Sequence, residues 1–268
     1  MIEAILALLF GLVIGSFLNV CIHRWPRGRS VVKPRSHCVR CRKRIAWYDN
    51  IPLVSYAVLG GACRHCGRKI SIRYPTVELF TGLLFFFFVW TLGPTLGALK
   101  MCALTAILIA LLFSDLEKRL LPDELTLGGT LIGLGFAVFV PVPQPTVSSL
   151  LWLAGVNVQG RAEWLTESAL GAFIPAFFLY AGGWLYYKIR HREGLGLGDV
   201  KLIAMVGSFL GLQGALLTLI LGSLSGSLIG YGYIKATRQD ASTYQLPFGT
   251  FLSLAALVAA IAGSKISG

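Results

Sequence analysis

Two aspartates lie at positions where a negative charge is energetically costly. Asp115 comes just after the apolar stretch 99–113, and Asp199 opens the apolar stretch that begins at residue 200. A carboxylate at the edge of hydrocarbon must be paired, hydrated or protonated, so each is a candidate functional group. Asp199 can also be a simple helix cap. Asp115 has no such explanation, because it stands at the C-terminal end of its helix, facing the negative pole of the dipole.

Two such aspartates can hydrolyse a peptide bond if the fold brings them together. Like charges a few ångströms apart share one proton, which leaves one carboxylate as a base and one carboxylic acid as an acid. Gly196 and Gly198 precede Asp199 and permit an unwound backbone that could admit an extended peptide. The sequence has no G-x-S-x-G elbow and no H-E-x-x-H pair, so neither serine nor zinc hydrolysis has support.

Four cysteines form a second candidate site. The pairs Cys38/Cys41 and Cys63/Cys66 are both C-x2-C, and 21 residues separate the pairs, close to the spacing of structural zinc sites. Four thiolates leave no open position for water, which predicts a structural ion. Free thiols and disulfides are the alternatives, although a reducing cytoplasm argues against disulfides. The adjacent histidines, His37 and His65, are interpreted as bystanders.

The composition places these residues in a membrane protein. The 268 residues are 55% hydrophobic and only 13% charged, with a mean hydropathy of +0.71. The net charge is +12, and 13 of the 24 Lys and Arg residues fall between Arg24 and Arg73. This basic loop is tethered to the membrane at both ends, so it favours contact with anionic lipid over binding of nucleic acid.

The apolar stretches predict an all-α polytopic membrane protein with about eight transmembrane helices and a small cytoplasmic zinc-binding module between helices 1 and 2. Short loops rich in Lys and Arg stay in the cytoplasm, which places the N-terminus outside. We divide the chain into a first helix (1–22), a basic tetracysteine module (23–74) and a membrane core that carries the aspartates (75–268). The eight stretches are 4–22, 77–92, 99–113, 125–140, 168–187, 200–211, 215–234 and 248–262.

Four motifs in one order resemble those of type IV prepilin peptidases, within the GxGD class of membrane aspartic proteases. The first is Gly15-Ser16-Phe17-Leu18-Asn19-Val20 with Arg24 and Pro26, and the second is the two cysteine pairs. The third is Asp115 followed by Leu121-Pro122-Asp123-Glu124-Leu125-Thr126, and the fourth is Gly196-Leu197-Gly198-Asp199-Val200-Lys201. The resemblance spans nearly the whole chain.

The resemblance implies a bifunctional enzyme of type IV pilus or type II secretion systems in the bacterial inner membrane. Such an enzyme cleaves the basic leader of prepilins or pseudopilins after a glycine, on the cytoplasmic side, and then N-methylates the new terminus from S-adenosylmethionine. Asp115 and Asp199 would be the catalytic pair, supported by Gly196, Gly198 and Lys201. The methyl donor rests on the resemblance alone, because Gly11, Gly15 and Asn19 are equally explained as a helix-packing face.

Charge raises a question about the substrate, because a basic leader should be repelled by the basic loop. We expect four acidic residues near the two aspartates to receive the leader instead. These residues are Glu117, Asp123, Glu124 and Glu193.

Two other functional classes stay open from the residues alone. The first is a transporter that uses the two aspartates as a proton relay, which predicts carboxylates near the bilayer midplane. The second is a noncatalytic anchor that presents the zinc module, which leaves Asp115 unexplained.

Overall fold

The computed structural model describes residues 1–192, 196–237 and 246–266, and it is built of helices. Within these ranges there is no strand, only two isolated bridges in the cysteine module. The all-α prediction is therefore confirmed. The described part of the chain contains nine α-helices: α1 (Ile2–Arg24), α2 (Val54–Val58), α3 (Arg73–Leu92), α4 (Leu96–Lys118), α5 (Asp123–Ala137), α6 (Thr146–Leu153), α7 (Arg161–Arg190), α8 (Leu197–Thr237) and α9 (Phe248–Ile266).

Five of the described helices are long and apolar enough to cross a membrane, namely α1, α3, α4, α7 and α8. The eight apolar stretches predicted from the sequence fall in helices, except that residues 138–140 lie beyond the end of α5. Helices α5 and α9 are shorter, and α8 contains two of the stretches. Gly211 breaks α8 with a non-helical backbone at φ 74°. At 1.5 Å per residue, 41 helical residues would measure about 60 Å, twice the hydrocarbon thickness, so this break allows two crossings.

The chain divides into two compact units, Met1–Ala110 and Leu111–Gly268. In the first unit, α1 packs closely against α3 through small residues. A methyl group on Gly11 would lie 2.8 Å from the Cα of Gly82, and one on Gly15 would lie 2.7 Å from the Cα of Glu78. Only hydrogen fits at these positions, so the two glycines set how closely the helices approach.

In the second unit, α8 is the central helix and packs against α5, α7 and α9. Its contact with α7 is close, because a methyl group on Gly171 would lie 2.8 Å from the backbone of Gly211. The Ser168 hydroxyl donates a 2.6 Å hydrogen bond to the carbonyl of Ser208 across the same helix pair. These contacts hold the middle of α8, around the break at Gly211, against α7.

Candidate functional site

Asp115 lies near the C-terminal end of α4, and its side chain is only 5% exposed. Its Oδ2 accepts two hydrogen bonds from Thr250, one from the backbone N–H at 2.6 Å and one from the hydroxyl at 2.8 Å. Thr250 is the third residue of α9, and the first N–H groups of a helix have no partner within the helix. The N-terminus of α9 therefore supplies hydrogen-bond donors that stabilise a negative charge on Asp115, which inspection of the sequence did not identify.

Asp199 lies in the first turn of α8, as the sequence suggests, and its side chain is partly buried. The backbone N–H of Gly196 donates to its carboxylate, and the two aspartates are close enough for their charges to repel each other. Asp115 and Asp199, the predicted catalytic residues, therefore lie close enough to interact electrostatically within the second unit.

Leu121 packs between the segments that carry the two aspartates. A methyl group on Gly198 would lie 3.2 Å from the Cβ of Leu121, and one on Gly249 would lie 2.9 Å from its Cδ1. The same methyl group on Gly249 would lie 3.1 Å from the Cγ of Asp115. The glycine before Asp199 and the glycine before Thr250 therefore both permit a close approach to the loop between α4 and α5.

Lys201 forms an ion pair with Asp123, with 2.7 Å between Nζ and Oδ1. This ion pair joins the start of α8, which also carries Asp199, to the start of α5. Asp123 remains 58% exposed, and Glu117 and Glu124 are also exposed. Glu193, the fourth residue expected to receive the leader, lies outside the described residues.

The segment Pro247-Phe248-Gly249-Thr250 was missed by the sequence reasoning. That reasoning weighed acidic residues near apolar stretches, and Thr250 carries no charge. A signal was available, because a proline and a glycine at the start of an apolar stretch mark a helix N-terminus. Such an end can hold an anion, but its pairing with Asp115, 135 residues away, follows only from the tertiary structure.

The four cysteines converge, as the spacing predicts. Their sulfur atoms all lie within 4.8 Å of one another, and those of Cys38 and Cys66 are 3.9 Å apart. Tetrahedral zinc with bonds of about 2.3 Å separates its sulfur ligands by about 3.8 Å, so the cluster fits the ion. His37 instead lies 3.0 Å from the carbonyl of Arg35 through its Nδ1, consistent with a bystander.

Both cysteine pairs lie on the same kind of backbone turn. The N–H of Arg42 bonds to the carbonyl of Cys38, and the N–H of Gly67 bonds to that of Cys63, each at 2.9 Å. Arg42 and Gly67 both have positive φ, of 57° and 64°. Glycine adopts positive φ without a steric penalty, which suits Gly67, whereas Arg42 takes this conformation with a side chain that makes it less favourable.

Arg64, which lies between Cys63 and Cys66 in the chain, is paired with an acidic side chain of the same module. Its guanidinium binds both carboxylate oxygens of Asp49, at 2.6–3.1 Å, and lies over the ring of Tyr48. This guanidinium holds the pKa of the Asp49 carboxyl below its usual range. The pKa of Cys38 is lowered to about 6, chiefly by the backbone N–H of Cys41, so backbone donors stabilise that thiolate.

The motif in α1 is engaged in packing. Asn19 is 2% exposed and donates a 3.0 Å hydrogen bond to the Tyr74 carbonyl on α3. Arg24 donates to the carbonyls of Ser30, Val31 and Pro34, which holds the segment that leaves the helix. Packing therefore accounts for the Nδ2 group of Asn19, whereas its Oδ1 is buried without a hydrogen-bond partner among the described residues.

Comparisons with known proteins agree with this arrangement. Residues 9–92 match the bacterial peptidase A24 N-terminal domain, and residues 102–231 match the type IV leader peptidase family. No solved structure matches the chain significantly.

The curated relatives extend the likeness over nearly the whole chain. A prepilin leader peptidase/N-methyltransferase of Aeromonas salmonicida is 36% identical over 98% of this chain and 91% of its own length. Proteins of the same name from Pseudomonas putida and Pseudomonas aeruginosa are each 34% identical over 97% of this chain, and over 91% and 90% of their own lengths. The predicted resemblance is confirmed: the chain is a multi-pass bacterial membrane protein that belongs to the type IV leader peptidase family, a family of proteases.

Proposed function

We propose that this enzyme cleaves the leader of type IV prepilins or pseudopilins after a glycine, with Asp115 and Asp199 as the catalytic pair. The observation that supports it best is the burial of Asp115 against the N-terminus of α9, beside Asp199. A carboxylate removed from water in this way suits a proton-transfer role, because its environment makes its proton affinity differ from that of the neighbouring aspartate.

The chemistry needs one ionised and one protonated aspartate. The ionised aspartate takes a proton from water while the water oxygen bonds to the scissile carbonyl carbon, and the protonated aspartate gives its proton to the carbonyl oxygen. The first aspartate then passes its new proton to the leaving amine as the C–N bond breaks. As the carbonyl re-forms, its hydroxyl proton returns to the second aspartate, so the pair ends as it began.

The positions of the carboxylates favour this chemistry over proton-coupled transport. Asp115 lies three residues before the end of α4 and Asp199 is the third residue of α8, so both are terminal in their helices. A transporter's carboxylates are expected near the midplane, in interrupted helices. By the distribution of Lys and Arg, both helix ends face the cytoplasm of the inner membrane, with the N-terminus periplasmic.

N-methylation of the new terminus is proposed from the relatives' name, with S-adenosylmethionine as the donor. The described residues single out no site for this donor, because the family-linked motif in α1 is occupied by contacts with α3 and the exit segment. We therefore assign the methyl transfer no residues. The division of the chain into a first helix (1–22), a cysteine module (23–74) and a peptidase core (75–268) likewise remains our proposal.

The aspartate pair is tested by a cleavage assay with purified protein in detergent and a prepilin substrate. Asp115→Asn and Asp199→Asn should each lower turnover to background, because either change removes the base or the acid. Glu163→Gln, in the first turn of α7, serves as the control and should cleave like the unchanged enzyme. Appreciable turnover by either aspartate variant would rule out the two-aspartate mechanism.

The leader-binding proposal predicts an effect on KM. Changing Glu117, Asp123, Glu124 and Glu193 to Gln together should raise KM several-fold for a basic leader, because attraction between opposite charges is lost. Any change in kcat from the loss of the Lys201–Asp123 ion pair should be equal for basic and neutral leaders, and a substrate whose leader is neutral should show no change in KM. Unchanged KM for the basic leader would remove these four residues from substrate binding.

We also propose a structural zinc ion on Cys38, Cys41, Cys63 and Cys66. Cys63→Ser should lose most of the bound zinc and lower the thermal stability of the protein, because a tetrahedral thiolate site needs all four ligands. His37→Ala is the matched control and should retain zinc. Elemental analysis of the purified chain measures both, and an equal zinc content in the two variants would contradict this ligand set.

A further inference from the structure

We propose that Thr250 positions Asp115 and makes it the ionised member of the aspartate pair, which leaves Asp199 to carry the shared proton. The inference rests on the proposed two-aspartate function and extends it by giving each aspartate one role. It also adds Thr250 to the machinery as a positioning residue.

The hydrogen bonds at Asp115 identify which oxygen stays unprotonated. Oδ2 accepts from the N–H of Thr250 at 2.6 Å and from its hydroxyl at 2.8 Å, so both of its lone-pair directions are used. A backbone N–H can only donate, and therefore it cannot reverse to accept a proton from a carboxylic acid. Oδ2 is an acceptor in this arrangement, and Oδ1 is the oxygen left to take a proton from water.

The hydroxyl of Thr250 has a second acceptor within reach, the carbonyl of Leu112 at 3.4 Å. Its single proton points best at Asp115, at the shorter distance of 2.8 Å. The carbonyl of Pro247 is likewise a weaker acceptor for the Thr250 N–H, at 3.3 Å against 2.6 Å. In both cases the shorter bond goes to the carboxylate, as expected for a charge-assisted hydrogen bond.

The surrounding charges agree with this division of roles. Arg119, just beyond α4, attracts a negative charge on Asp115, and Asp199 on α8 repels it. The first turn of α9 contributes no acidic residue. Among the residues that the structure describes, the carboxylate of Asp199 has one donor, the backbone N–H of Gly196, where that of Asp115 has two. With one proton between them, the aspartate with fewer donors holds it.

The pH profile of prepilin cleavage tests this assignment. Thr250→Val keeps the shape and the backbone N–H but removes the hydroxyl donor, so a higher pH is needed to ionise Asp115. In the pH profile of kcat/KM, the acidic limb should shift to a pH about one unit higher. This is the size expected for losing one hydrogen bond to a charged group. Thr250→Ser restores the donor and should return the limb to its original position.

Thr218→Val is the matched control, since the Thr218 hydroxyl is also buried in a helix but, among the described residues, bonds to the carbonyl of Gly214 and to no carboxylate. Its acidic limb should stay in place. An unmoved limb in Thr250→Val, or an equal movement in Thr250→Ser, would overturn the role of the hydroxyl. Methylation of a pre-cleaved pilin by each variant reports whether the protein is folded.

The same assay distinguishes a failure of this inference from a failure of the proposed two-aspartate function on which it rests. If Asp115→Asn still cleaves, the two-aspartate mechanism fails and the role of Thr250 fails with it. If Asp115→Asn is inactive and the limb of Thr250→Val does not move, the mechanism stands and only the role of Thr250 is overturned.

Discussion

A buried carboxylate at the C-terminal end of a helix is the constraint around which the second unit of this protein is arranged. Burial removes water from Asp115, and the dipole of α4 opposes its charge. Hydrogen bonds to a charged group contribute about 1.5–3 kcal/mol each, so the two bonds from Thr250 are large enough to offset much of that cost. The start of α9 must therefore lie against the end of α4.

Other features of the second unit serve this contact. Gly249 leaves room for Asp115 and Leu121 where a side chain would collide. Gly198 leaves room for the same leucine at the start of α8, and the ion pair of Lys201 with Asp123 fastens that start to α5. Small residues and one ion pair thus bring four helix ends to one place, the end of α4 and the starts of α5, α8 and α9. Terminal positions suit hydrolysis at the membrane edge, because a helix end lies nearer to the aqueous phase than a residue at the bilayer midplane does.

Much of this was predictable from the sequence. The helices follow from the apolar stretches, the cysteine cluster from the spacing of Cys38, Cys41, Cys63 and Cys66, and the candidate aspartates from the cost of charge near hydrocarbon. Each of these signals is local in the chain. Thr250 could not be identified in the same way, because its contact with Asp115 joins segments 135 residues apart and Thr250 itself carries no charge. The ion pair between Arg64 and Asp49 could not be predicted for a similar reason, because nothing in the sequence singles out this pairing among the module's many charges.

The most direct test of the central claim is a cryo-electron microscopy structure of the Asp199→Asn variant with an uncleaved prepilin bound. The account predicts that the scissile carbonyl lies within reach of one water molecule held by Oδ1 of Asp115. Oδ2 should remain bonded to the N–H of Thr250 at the start of α9. A scissile bond bound away from Asp115, or an Asp115 side chain turned away from Thr250 in the complex, would contradict it.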